Sequence, residues 1–449
     1  MYNFKRDDYN RYVVIYMIIS YSFKNFRSFK KETTLNLKAS AQTTFNENLI
    51  RKKGIRILPS AVIYGANASG KSSIITSLNV FRSIVISGSL VSSDKELQNL
   101  EIYPFAYDKD ITPMSFDIDF ISNNYRMRYY LSISIEPFSE RGKRTVEYEQ
   151  LDLIEKNNTT NLYIRKNNNV TISENEKARK ILKINDDLFS PMMNKLNENL
   201  DPVELFLARG FKNFINSELA DTVIDFFQDI YVVTDFTLRS TSVRITSSDR
   251  ITPDFSIWND LLEGFVKSAD FGPQKIRFMS KESKDEHSAN MELRSIYHYN
   301  DKNISIPAEL TESRGTIKLI DFAIAFQTFF NKGGTFIIDE FDAALHPEMV
   351  KGILSVFNNI EINKEGAQLV FSTHNPIFLN NRIFRRDQIL FVEKDKNSYQ
   401  SALYSLSDFG SENVRNDENY LINYFKGKYS TLPYIDFSKV LKKEDNNNV

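Results

Sequence analysis

Ala61-Val62-Ile63-Tyr64-Gly65-Ala66-Asn67-Ala68-Ser69-Gly70-Lys71-Ser72 is the stretch that decides the fold. Its apolar start reads as a buried strand, and Gly65 to Ser72 fits the pattern G-x-x-x-x-G-K-[ST]. An apolar helix from Lys71 to about Ile86 follows at once. In that order the glycines let backbone N–H groups wrap phosphate oxygens, and the helix N-terminus adds a partial positive charge. Gly65, Asn67, Ser69, Gly70, Lys71, Ser72 and Ser73 are therefore the candidate nucleotide-binding residues. Lys71 is expected to reach the β- and γ-phosphates of ATP, and the Ser72 hydroxyl to bind Mg²⁺.

Three more segments bear on the same chemistry. Thr335-Phe336-Ile337-Ile338-Asp339-Glu340 is an apolar strand ending in two acids. A strand buried on both faces ends this way at its carboxyl end, where α/β proteins bind ligands. Asp339 is the candidate metal ligand, and Glu340 the candidate base that orients and deprotonates water. The acidic strand and the glycine-loop strand are expected to be neighbours. Ser372-Thr373-His374-Asn375 ends another apolar strand and offers His374 as a second catalytic candidate near the γ-phosphate. Glu312-Ser313-Arg314-Gly315-Thr316 opens a helix over 316–330. Taken alone it reads as a helix cap, while a Ser and a Gly at a helix N-terminus also suit an anion.

The remaining composition excludes other classes. The chain has 449 residues, 57 basic against 58 acidic, and a net charge of −1, so net charge does not steer it to nucleic acid. It has no Cys, which excludes disulfides and Cys-ligated metal sites and suits a reducing cytoplasm. No apolar run approaches the ~20 residues of a membrane helix. The longest, Tyr12 to Ile19, is a poor signal peptide beside Asp7 and Asp8, and both Met1 and Met17 stay open as starts.

Strands are expected over 18–23, around Leu35 and Leu37, and over 61–64, 115–121, 125–135 and 147–154. Exposed loops and a weak hairpin are expected over 156–187, helices over 202–231 and 256–268, and a strand pair over 274–306. Beyond it come the strand 335–338, a helix over 347–360, the strand 368–372 and a last strand over 388–393. The expected division is an N-terminal core segment over 17–110, an inserted β and helical lobe over 111–306, a C-terminal core segment over 307–435, and a polar tail over 436–449.

The order of these segments resembles an ABC-type P-loop ATPase head of the SMC, RecF and OLD kind. Asp339 to Pro347 resembles the Walker B and D-loop of that class. Phe23-Lys24-Asn25-Phe26-Arg27-Ser28-Phe29 resembles the first strand of RecF-like heads. Phe105, Arg385 to Ile389, Val392 to Lys394 and Gly427 to Tyr429 are similar to the RloA/AbiL-like ATP-binding proteins of phage-defence operons and to the ATPase of the PARIS system. The signature departs from the pattern, with Glu312 and Arg314 in place of Leu and Gly, and Gln98 is the candidate Q-loop residue.

The resemblance implies an α/β fold with a mixed-sheet core, an antiparallel β subdomain and an inserted helical lobe. It implies Mg²⁺-dependent ATP hydrolysis and a homodimer or higher homo-oligomer, in which Ser313 and Gly315 of one subunit meet ATP held by another. No long heptads lie between Gly65 and Asp339, and too little chain follows His374 for a TOPRIM domain. Two readings stay open. One is a sensor or scaffold that controls an effector in trans, a TOPRIM-like nuclease or toxin, in anti-phage defence. The other is a DNA-repair or recombination ATPase that acts on DNA itself. Lys24, Arg27, Lys30 and Lys31 suit either reading, and taken alone read as a solvated strand-turn face.

Overall fold

In the computed structural model the described residues are 15–91, 102–107, 112–135, 144–156, 158–183, 186–234, 242–246, 256–257, 263–264, 267, 273–280, 288–410, 414–415 and 418–429. Gln98 and residues 281–286, within the strand pair expected over 274–306, lie outside them.

The chain opens with β1 (Tyr16–Lys24) and β2 (Thr33–Asn36), a short hairpin of β3 (Ile50–Lys52) and β4 (Ile55–Ile57), and β5 (Ser60–Gly65). Helix α1 (Lys71–Ser87) follows and is closed by Gly88, whose φ of 70° suits glycine. Next come β6 (Met114–Ser122), β7 (Tyr125–Ile135), β8 (Arg144–Glu155), β9 (Asn158–Lys166) and β10 (Asn169–Ile172). Helices α2 (Glu176–Leu182), α3 (Asp186–Glu198) and α4 (Ser217–Gln228) lead to β11 (Ile230–Val233). An antiparallel insert contains β12 (Ser242–Thr246), β13 (Ser256–Ile257), β14 (Lys275–Ser280), β15 (Ser288–Tyr299) and β16 (Lys302–Pro307). The chain continues through α5 (Arg314–Phe329), β17 (Thr335–Ile338), α6 (Pro347–Phe357), β18 (Gln368–Ser372), β19 (Ile389–Lys394), β20 (Ser401–Ser405) and α7 (Tyr420–Phe425).

The core sheet has the order β11-β17-β18-β5-β19-β20, parallel throughout except for the antiparallel β19–β20 pair. This is the expected mixed sheet. β5, β17 and β18 are buried at every position, as a sheet covered on both faces requires. Alternate residues divide between two cores. Ala61 and Ile63 join α1 and the antiparallel sheet, whereas Val62 and Tyr64 join Phe322 and Phe326 of α5 and Phe357 of α6. The second sheet, β10-β9-β8-β7-β6-β1-β2, is antiparallel and packs on α1 through Phe81, which stacks on Phe116 and Tyr129.

Several elements differ from the reading of the sequence. β18 lies between β17 and β5, so the acidic strand and the glycine-loop strand are not direct neighbours. The 156–187 region contains a nine-residue strand, β9, with Leu162, Tyr163 and Arg165 buried. Arg165 disguises it, because a core arginine reads as solvent-facing. Its guanidinium lies 3.8 Å from Glu149 and donates to the carbonyls of Asn167, Asp201 and Glu204. Ile230 belongs to the core strand β11 and not to the preceding helix. Ser256 and Ile257 form a strand at the start of the helix expected over 256–268, whose other described residues, 263, 264 and 267, are helical. β20 follows the strand that was expected to be last.

Candidate functional site

Register alone brings the candidate residues together. Ile338 pairs with Phe371, Ser372 with Ile63, and Val392 with Gly65, so β17, β18, β5 and β19 end at one sheet edge. Asp339 and Glu340, Thr373 and His374, the glycine loop and Lys394 all leave from that edge. A cavity of 460 Å³ opens there, lined by Asn67, Gly70, Lys71, Ser72 and Ser73. Arg27, Ser28, Glu340, His374 and Lys394 also line it.

The loop has little room for other residues. A Cβ at Gly65 would lie 2.5 Å from the Val392 carbonyl oxygen, and Gly70 sits at φ 118° with Phe29 2.9 Å from its Cβ position. Lys71 is buried, and its Nζ donates to the carbonyl oxygens of Gly65 (2.8 Å) and Ala66 (3.0 Å). Burial pulls its amine down to about 8, against the opposing pull of Asp339 and Glu340. Ser69 Oγ is buried against Gly65 without a hydrogen-bond partner, and neither Ser69 nor Gly65 lines the cavity.

The acidic corner is held by the backbone. Asp339 N–H donates to the Val233 carbonyl at 2.8 Å, and the Ser372 hydroxyl donates to the Asp339 carboxylate. Glu340 N–H donates to Ser372 Oγ at 2.8 Å, with Glu340 in the left-handed region at φ 46°. Glu340 Oε1 lies 3.8 Å from His374 Nε2, and both side chains are exposed to the cavity. Burial, and then the Lys71 charge, hold His374 below the usual imidazole range despite the nearby carboxylates. Asp339 is 7% exposed and stands behind the cavity wall. Among the described residues no cluster of three His, Asp or Glu could hold a metal by itself. Ser72 lines the cavity and Asp339 does not. Mg²⁺ needs only one or two protein ligands and completes its shell with phosphate and water.

Ser313 and Gly315 do not line this cavity. Ser313 caps α5 by accepting from Thr316 N–H at 3.1 Å. A Cβ at Gly315 would fall on the carbonyl oxygen of Ala344, in the loop after Glu340. Gly315→Ala is therefore expected to destabilise the chain by about 1–3 kcal/mol, read as a lower thermal midpoint.

Several residues near the cavity were not assigned to it from the sequence, Ser28 and Lys394 among them. Arg27, grouped there with surface cations, lines the cavity. Lys318 on α5 is buried and donates to the carbonyls of Glu340 and Ala343 at 2.7 and 3.0 Å. Its position within an otherwise apolar helix face was the available signal.

No helix among the described residues is long and apolar enough to cross a membrane. The chain is similar in structure to the Smc head domain of Pyrococcus furiosus, solved with an extended coiled coil and bound to the C-terminal domain of ScpA. That match has 16% identity and a TM-score of 0.40, and covers 87% of this chain and 96% of that one. A second similar structure is the SMC head domain of Thermotoga maritima, with 13% identity and a TM-score of 0.34 over 86% and 98% of the two chains. No curated protein matches the chain. The family model described as "AAA domain, putative AbiEii toxin, Type IV TA system" matches residues 60–380, well over half of the sequence, and the chain belongs to that family.

Proposed function

We propose that the protein is a Mg²⁺-dependent ATP hydrolase whose sites are completed between two copies of the chain, and that it governs a partner effector. The observation that carries the hydrolase reading is the convergence of Lys71, Ser72, Glu340 and His374 on one cavity. In this reading the loop amides and Lys71 hold the phosphates, with Arg27 and Lys394 adding positive charge at the cavity wall. Glu340 orients the attacking water and accepts its proton. His374, held toward its neutral form, hydrogen-bonds beside the γ-phosphate. Mg²⁺ held by Ser72 and Asp339 would neutralise charge on the phosphates.

Ser313 and Gly315 stand apart from the cavity of their own subunit, which supports their use on the ATP of a second copy. The family description names a putative toxin of a toxin–antitoxin system, which fits a role in controlling toxicity. The effector in trans, with a TOPRIM-like nuclease as the candidate, is proposed from the sequence resemblance. Arg27 lines the cavity, so in this reading one of the four N-terminal cations serves the ATP site. Phosphate release from ATP tests the hydrolase reading. Turnover is expected with Mg²⁺ and not with excess EDTA, and its absence in both would remove the reading.

A further inference from the structure

We infer that Lys318 is the positioning residue that sets Glu340 for attack on ATP, by clamping the backbone of the loop that bears it. The inference rests on the hydrolase reading above.

Glu340 and Ala344 both adopt left-handed backbone, at φ 46° and 67°, and neither is glycine. Such residues persist when their surroundings hold them there. Here Glu340 is gripped from both sides of its peptide frame. Its N–H donates to Ser372 Oγ of β18 at 2.8 Å, and its carbonyl accepts from Lys318 Nζ of α5 at 2.7 Å. The same ammonium donates to the Ala343 carbonyl at 3.0 Å, and so spans the turn closed by Ala343 N–H on the Glu340 carbonyl. One helical turn earlier, Gly315 lets α5 approach the Ala344 carbonyl closely. One face of α5 thus holds the loop at 340, 343 and 344, and the Glu340 side chain is left to point into the cavity.

The residue type follows from those carbonyls. Lys318 is 6% exposed, and a methionine would fill the same space without the cost of burying a charge. Packing alone gives no reason for lysine. An ammonium with several donors is what two carbonyl oxygens on one turn call for.

The test uses the full chain as Lys318→Met, Lys318→Arg, Glu340→Gln and the double variant Lys318→Met/Glu340→Gln. ATP affinity, steady-state turnover and amide hydrogen exchange over 341–345 are measured for each. Lys318→Met is expected to bind ATP within about threefold of wild type and to turn over about 10–100-fold more slowly, as a displaced base does. Its Ala343 and Leu345 amides should exchange faster. Lys318→Arg, which restores donors, should recover part of the turnover. The double variant should be no slower than Glu340→Gln, since a residue acting through Glu340 has nothing left to act on. Four outcomes overturn the inference: wild-type turnover in Lys318→Met, unchanged exchange, equal loss of ATP binding and thermal midpoint in both Lys318 variants, or multiplying losses in the double variant. If the wild-type chain shows no turnover, the hydrolase reading fails and the exchange comparison alone decides the clamp.

Discussion

In Glu340→Gln, ATP turnover is expected to fall about 10²–10⁴-fold while ATP still binds, the usual cost of losing a positioned base. The substitution keeps the shape of the side chain and its hydrogen-bonding reach but removes its ability to take a proton. Ser372 and Lys318 hydrogen-bond to the backbone of residue 340, and the substitution leaves both bonds available. Single-turnover measurements with saturating ATP check this, because they separate chemistry from binding. Turnover at the wild-type rate would move the base elsewhere, and His374, 3.8 Å away, is then the first residue to replace.

Lys71→Ala is expected to lose about 10²–10³-fold in ATP affinity, because phosphate charge loses its buried cationic partner. The ammonium also carries a pH signature. Burial places it at about 8, so it is charged below that pH and progressively neutral above it. Phosphate binds the charged form, and wild-type affinity should therefore weaken as pH rises from 7 to 9. Lys71→Ala should be flat across the same window. Lys318 is also drawn to about 8, so a slope that survives in Lys71→Ala would assign the titration there instead. Titration calorimetry at several pH values checks both points.

The nucleotide corner was legible because its signals are short-range. Gly65 to Ser72 sits between an apolar strand and an apolar helix, and Thr335 to Ile338 and Gln368 to Ser372 are strands with the bounds the sequence suggested. The rest depends on contacts distant in sequence. β11 is four residues long and follows a helix, so its place beside β17 could not be seen locally. β9 hides its buried face behind Arg165, whose partners Glu149, Asp201 and Glu204 lie well away in the chain. The order of the core strands was misjudged because sequence order does not show that β18 enters between β17 and β5. Arg27 looked like one of a run of surface cations. Its φ of 50° and its approach to the glycine loop emerge only in the fold, where Ser401 of β20 bridges the Ser28 and Ser69 carbonyls.

If the ATP site is shared between copies, mixing two inactive variants should restore activity that neither has alone. Ser313→Arg leaves its own Gly65–Ser72 loop untouched, at the expense of a helix cap of about 1 kcal/mol. Lys71→Ala spoils the loop and leaves the Ser313–Gly315 end intact. Each should be inactive alone. In a mixed pair one site carries both defects and the other carries neither, so an equal mixture should recover about a quarter of wild-type phosphate release if pairs form at random. A mixture no more active than its two components, with mixed pairs demonstrated by tagged pull-down, would contradict the shared site.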